Sequence, residues 1–454
     1  MKKWISCLVV FGLALPLGCG PESPDQQNNQ NQGSLDSDGD SNGEGDGFVD
    51  DLPEDYDGPT YYADIQPLMQ AHCTSCHVQD SIAPFALLNY QEVRDTAILS
   101  HATMQAGTMP PWPPAEDCQE FQGHRGMTVE EIALFKEWID EGYPRGNSAD
   151  APSVETNQGL TLGEADLTLT WGFDYKPTPV GGDQIDDYRC FVVDVPTEED
   201  VFVNLVDTKP GNAAVVHHMI AYLAPPSQFA RLSQLEQEDS RPGYTCFGGP
   251  RFNNPEMLAG WVPGTTPIPY KEGYGIRVPA GHKLVVQMHY NTVNDPEGTD
   301  QTLIDLHLVD REAHPNPKEL VIIPLADFGL FVAAGDPEGY ASAEGPSIPI
   351  PLMLHGIAPH MHMLGSAIRT TISTGRGDMC LIDIPNWDFN WQGFYVYKEP
   401  IRLAPPSLPL LECWYDNSAS NQAPGREPRN VTWGDGTYDE MCLVYFIVER
   451  PPGL

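Results

Sequence analysis

From about residue 150 onward the chain is written in short apolar stretches: "YRCFVVDVP", "DVFVNLVD", "HKLVVQMHYNT", "AIRTTIST" and "MCLVYFIVE". They are rich in β-branched and aromatic residues, and proline and glycine punctuate the spaces between them. Side chains alternate across a strand, so segments of this kind are stable only when another layer covers their apolar face. The 44 prolines and 42 glycines supply the turns that such an architecture needs. The pattern predicts two consecutive all-β sandwiches, over residues 155–312 and 313–454.

The preceding segment reads differently. Within 58–147, "DIQPLMQAHCTSCH" opens with a helix-compatible run, and "TVEEIALFKEWIDEGYPRGN" offers a capping box at Thr128 and Glu131. Ile132, Phe135, Trp138 and Ile139 then fall on one helical face, which stops at Gly142. This predicts a small all-α domain and makes the chain multidomain. Residues 19–57 are too polar to bury anything and are expected to form a disordered acidic linker. Asp38, Asp40, Asn42 and Gly43 suggest a calcium loop only faintly, since Val49 stands where a bidentate glutamate is required.

Residues 1–18, "MKKWISCLVVFGLALPLG", carry two lysines and a short apolar run. They are expected to be an export signal, too short to span a membrane. "LPLGC" resembles the end of a bacterial lipoprotein signal, which makes Cys19 the lipidated residue of an exported periplasmic or cell-surface protein anchored to a membrane. The formal net charge of −40 argues against nucleic acid as a partner. Cys118, Cys190, Cys246, Cys380, Cys413 and Cys442 form an even set in an oxidising compartment, so disulfides are expected, with their pairing left open.

"CTSCH" at 73–77 has the spacing of c-type haem attachment. Cys73 and Cys76 would bond the haem vinyl groups and His77 would bind iron from one side. In "HATMQAGTMPPWPP" Met109 stands before two prolines that stiffen its loop, which favours it as the sixth ligand; Met104 and His101 are the alternatives. The segment is therefore read as a cytochrome c-like domain.

Five further histidines lie inside apolar strand patterns: His217 and His218 in "VVHHMI", His289 in "VVQMHYNT", His360 and His362 in "IAPHMHML". Buried imidazoles need a metal or hydrogen-bond partners. His360 and His362, two apart, face the same way on a strand and can share an ion. His217 and His218 can do so only where a bulge or a strand end breaks the alternation. His282, His307, His314 and His355 are read as surface or satisfied core residues.

The order "VHHM", "QMHY", "HMHMLG", "DEMCLVY" resembles the copper type II, ascorbate-dependent monooxygenases, the peptidylglycine α-hydroxylating and dopamine β-monooxygenase family. The resemblance covers roughly residues 160–450. It implies that the two all-β sandwiches are jelly-roll-like and carry one copper ion each, one held by His217, His218 and His289 for electron transfer, the other by His360, His362 and Met441 for O₂. It also implies disulfides Cys190–Cys246 and Cys413–Cys442, leaving Cys118 and Cys380 over. Tyr445 matches a pocket tyrosine of the family. Ala358 replaces the arginine that grips a peptide carboxylate there, and Leu443 replaces a polar pocket residue, so a peptide C-terminus is not the expected substrate. A neutral, more apolar small molecule is.

The function expected on these grounds is hydroxylation of a C–H bond with O₂. The fused haem would deliver electrons from an external donor, ascorbate or a redox protein, first to the three-histidine copper. Two other readings compete: a non-enzymatic electron-transfer or copper-handling lipoprotein, and a dehydrogenase in which haem alone does the chemistry.

Overall fold

Among the described residues nine strands follow one another in the first half: β1 (Leu167–Leu169), β2 (Asp186–Asp194), β3 (Val201–Lys209), β4 (Val216–Ala224), β5 (Tyr244–Thr245), β6 (Glu256–Trp261), β7 (Tyr274–Val278), β8 (Lys283–Asn291) and β9 (Leu303–Leu308). Ten make up the second: β10 (Lys318–Ala326), β11 (Phe331–Val332), β12 (Gly339–Glu344), β13 (Leu352–His360), β14 (Gly365–Thr374), β15 (Gly377–Ile384), β16 (Tyr395–Leu403), β17 (Ser407–Tyr415), β18 (Val431–Thr432) and β19 (Leu443–Glu449). The computed structural model describes residues 52–53, 55–79, 83–151, 162–179 and 185–451. The export signal, Cys19 and most of the acidic linker lie outside the described residues.

The strands form two sandwiches that share a sheet. An eight-stranded sheet runs β1-β9-β3-β7-β10-β19-β13-β16, and the two halves of the chain meet in it where β7 pairs parallel with β10. A five-stranded sheet, β5-β2-β8-β4-β6, covers its first half, and a four-stranded sheet, β12-β17-β14-β15, covers its second. Alternation decides what each strand offers. Along β8, Leu284, Val286, Met288 and Tyr290 enter the first sandwich core, while Val285, Gln287 and His289 face the other side. Along β19, Val444, Phe446 and Val448 enter the second core, which leaves Leu443 and Tyr445 on the face turned to the first half.

The N-terminal helices are α1 (Gln66–His72), α2 (Tyr90–Gln105) and α3 (Val129–Asp140); a fourth, α4 (Phe229–Glu238), covers the outer face of the five-stranded sheet. The capping box of α3 forms: Thr128 Oγ1 accepts from the Glu131 amide at 3.2 Å, and a Glu131 carboxylate oxygen accepts from the Thr128 amide at 2.7 Å. Phe135 and Trp138 are fully buried with Tyr61, Ile65 and Met69.

The expected all-α domain is overturned. Phe48–Leu454 is one compact, predominantly β unit, and the helices are part of it. The reason lies in the Pro-rich connection between α2 and α3. It carries Trp112 and Phe121, which three short helices cannot bury, and it lays them on the second sandwich instead. Phe121 pairs with Tyr397 of β16 and stacks on its ring at 5.1 Å, and Cys118 bonds to Cys380 of β15. The main chain is tied down on both sides, Ala115 to Asp383 and Gln122 to Val396. Arg125 reaches the first half through Thr266 at 2.9 Å.

The disulfides Cys118–Cys380, Cys190–Cys246 and Cys413–Cys442 fit export into an oxidising compartment. No helix among the described residues is long and apolar enough to cross a membrane.

Candidate metal centre

His217 and His218 converge because β4 is bulged there. Val216 pairs with Tyr290 of β8 and His218 with His289, which leaves His217 as the extra residue and breaks the alternation that would send the two rings apart. His289 joins them from β8. One ring nitrogen from each of the three lies within 4.8 Å of the others. His217 Nδ1 is 3.3 Å from His218 Nδ1, which is 3.4 Å from His289 Nδ1.

These spacings fit a metal ion. Imidazole nitrogens bind zinc or copper at about 2.0–2.1 Å, which sets two donors about 3.3 Å apart at a tetrahedral angle. The orientation of His289 is fixed from behind, where Asp186 Oδ1 takes its Nε2–H at 3.0 Å and leaves Nδ1 free as a donor. Asp186 also accepts from Asn291 and Thr437, both at 3.0 Å. Tyr188 stacks on His289 at 4.1 Å. Burial holds all three imidazoles neutral: it lowers His217 to about 4 and takes His218 and His289 well below their ordinary value.

The second group stands on the second half. His360 ends β13 and His362 follows it, with ring centroids 5.1 Å apart. Gln392 Oε1 accepts from His360 Nδ1 at 2.5 Å, and the Asp439 carbonyl accepts from His362 Nδ1 at 3.0 Å. Both rings are thereby set with Nε2 free as a donor. Burial lowers His360 to about 4 and His362 to about 3. Glu440 is fully buried beneath them and accepts the amides of His362, Leu364 and Met441 at 2.9, 2.6 and 3.2 Å. Burial lifts its carboxyl to about 8 against these donors. Tyr415 donates to the Met441 carbonyl at 2.9 Å, and Cys442 is bonded to Cys413 of β17, so Met441 is held through its own carbonyl and through its neighbour Cys442.

Both groups open on one cavity of about 330 Å³ between the halves, lined among others by His218, His360, His362, Met441 and Tyr445. Its walls are aromatic and aliphatic; Asp435 is the carboxylate on the lining, and neither lysine nor arginine is among the lining residues. Ala358 and Leu443 both face into it. Burial and the nearby Asp435 push the Tyr445 hydroxyl up to about 12, so it is a hydrogen-bonding group and not a base.

The "CTSCH" segment follows α1. Cys73 and Cys76 are free thiols, the first buried, while the six cysteines of the sandwich region and its strap are paired. His77 is held through Nδ1 by the Phe85 carbonyl at 2.9 Å, which leaves Nε2 as a donor. Two unpaired thiols beside an oriented imidazole fit covalent haem. Met104 is buried in the helical core; Met109 and His101 are half-buried, Met109 next to Pro110.

The resemblance implied both donor groups, but not the residues that surround them. Asp186, Gln392, Thr437 and Glu440 come from strand edges and loops. Only Glu440, inside "DEMC", sits in a stretch the sequence singled out.

Comparison with protein-family descriptions and with curated proteins gives no match. Among solved structures, the STIV MCP gives a TM-score of 0.27 at 9% identity, covering 62% of this chain and 95% of that one. PBCV-1 VP54, fitted into a reconstruction of the virophage Sputnik, gives 0.23 at 8%, covering 63% and 94%. Infectious bursal disease virus VP2, from a subviral particle, gives 0.18 at 10%, covering 62% and 71%. At such TM-scores these are fragmentary likenesses.

Proposed function

We propose that this chain is a copper-dependent monooxygenase that hydroxylates a C–H bond of a small organic substrate with O₂, fed with electrons through a c-type haem on Cys73, Cys76 and His77. The observation that carries this reading is the meeting of unlike donor sets at one cavity: a cluster of three imidazoles on the first half, which reaches the cavity through His218, and His360, His362 and Met441, which line it from the second. Three nitrogens suit copper in both oxidation states, whereas a thioether favours Cu(I), so the bound ions would supply electron transfer at one site and O₂ activation at the other. A copper store has no use for such a difference.

The residues of this chain do the rest. Asp186, Gln392 and the Asp439 carbonyl fix which nitrogen of His289, His360 and His362 is free to bind. The apolar walls keep water from the reacting C–H bond. Tyr445 and Asp435 offer hydrogen bonds to a polar end of the substrate, and with no lysine or arginine among the lining residues a carboxylate would lack a bidentate partner. Electrons would enter from ascorbate or a redox protein, and the export signal with Cys19 would place the protein as a lipoprotein on the periplasmic side or cell surface.

The test is oxygen uptake by the reduced, copper- and haem-loaded protein with a panel of neutral, amine and carboxylate substrates. Substrate-dependent uptake that Met441→Ala abolishes, with haem and the three-histidine copper intact, is the expected result. Uptake that survives Met441→Ala would move the chemistry to the haem. No uptake with any substrate, both coppers present, would leave a copper-handling electron carrier.

A further inference from the structure

The loop Trp387–Gln392, between β15 and β16, reaches His360 and His362 of the second donor group and His217 of the first. Trp387 Nε1 donates to the His362 carbonyl at 3.2 Å. Gln392 accepts from His360 and, through its amide nitrogen, donates to the Phe389 carbonyl at 2.9 Å. Between these two anchors, Phe389 lies nearly face to face with His217, centroids 5.2 Å apart at 27°, and edge-on to His362 at 6.1 Å and 80°. One ring thus spans the gap between the three-histidine group of the first half and the second group.

This contact matters most for His217. His289, His360 and His362 are each oriented by a hydrogen bond to a carboxylate, amide or carbonyl. For His217 the ring contact beyond its sister histidines is the face of Phe389. Close-packed rings do not deform continuously, so the orientation His217 takes is transmitted to Phe389, and from Phe389 to the edge of His362.

We infer that Phe389 is a positioning residue common to both donor groups, and that through it the filling of one group with copper changes the affinity of the other. The inference rests on the copper reading above. Coupling of this sort is reciprocal: whatever factor one ion applies to the second, the second applies to the first.

The test is a Cu(II) titration of the full chain followed by electron paramagnetic resonance, on the natural protein, Phe389→Leu and Phe389→Tyr. Leucine keeps an apolar filler without a ring. It should weaken copper at His217/His218/His289 about tenfold to a hundredfold, the usual cost of a lost orienting neighbour. It should also shift the hyperfine splitting of the His360/His362/Met441 signal, although none of that group's hydrogen-bond partners is altered. Tyrosine keeps the ring and should leave both signals and both affinities as they are. In a His360→Ala/His362→Ala background the first group's affinity should differ from that of the intact chain, and Phe389→Leu should erase the difference. Natural affinities and unchanged signals in the leucine variant would overturn the inference, as would loss of both in the tyrosine variant. If the natural chain itself fails to bind two coppers, the monooxygenase reading fails first.

Discussion

Asp186 is the residue on which the three-histidine group most depends. Its carboxylate takes the His289 proton, and it is itself held by Asn291 from the same sheet and Thr437 from the other half. Replacing it with alanine leaves His289 free to turn or change tautomer, so Asp186→Ala should lower copper affinity at that group about tenfold to a hundredfold, as read by copper titration. His355 makes a different prediction. It was expected to be a surface or satisfied residue, but it is buried against Tyr274, its Nε2 has no partner, and burial lowers it to about 4 from 6.5. Between those two values the unfolded chain binds the proton more readily than the folded one. Stability therefore rises with pH across this window and falls as pH drops from about 6.5 to about 4. His355→Phe removes that contribution, so its melting temperature should fall less between pH 7 and pH 4.5 than that of the natural protein; equal falls would contradict the assignment. The five histidines were legible because a buried imidazole in an apolar strand is costly and therefore conspicuous, whereas Met441 and the grouping into two sets came from the resemblance alone. Asp186, Gln392 and Phe389 were not, since a carboxylate, an amide or an aromatic at a strand end or in a loop is ordinary until its neighbours are known.

At the scale of elements, the sequence conveyed the strands and the capped helix α3 through their periods of two and 3.6, and it did not convey how they are joined. The bulge in β4 is an event of register, fixed by how Val216 and His218 meet β8, and no composition signals it. The strap between α2 and α3 was read as part of a helical domain because its partners, Tyr397 and Cys380, lie far along the chain. The strap is now a testable element. Cys118 and Cys380 are 262 residues apart, and they tie it to β15. The double variant Cys118→Ser/Cys380→Ser should lose about 2–5 kcal/mol in denaturant unfolding and expose residues 106–128 to limited proteolysis. An unchanged midpoint and cleavage pattern would mean that Phe121 and the main-chain hydrogen bonds hold the strap unaided.

Across the whole molecule, the shared eight-stranded sheet explains why donors from distant segments meet. It fixes the face of the second half that is turned to the first, with Tyr445 and His360, opposite the outward face of the first half's five-stranded sheet, with His218. Two separate sandwiches on a linker would leave that gap undefined. With Asp435 on the lining and no lysine or arginine there, substrates of equal apolar size should bind more weakly when they carry a carboxylate, seen as a KM raised at least tenfold over the neutral analogue. The claim beneath all of this is that two donor sets each hold one copper ion. The most direct measurement is the copper content of the purified, copper-loaded and desalted chain, alongside His289→Ala and His362→Ala. Two ions per chain, falling to one in each variant, is the predicted result; one ion or none in the natural chain, or two retained in both variants, would contradict it.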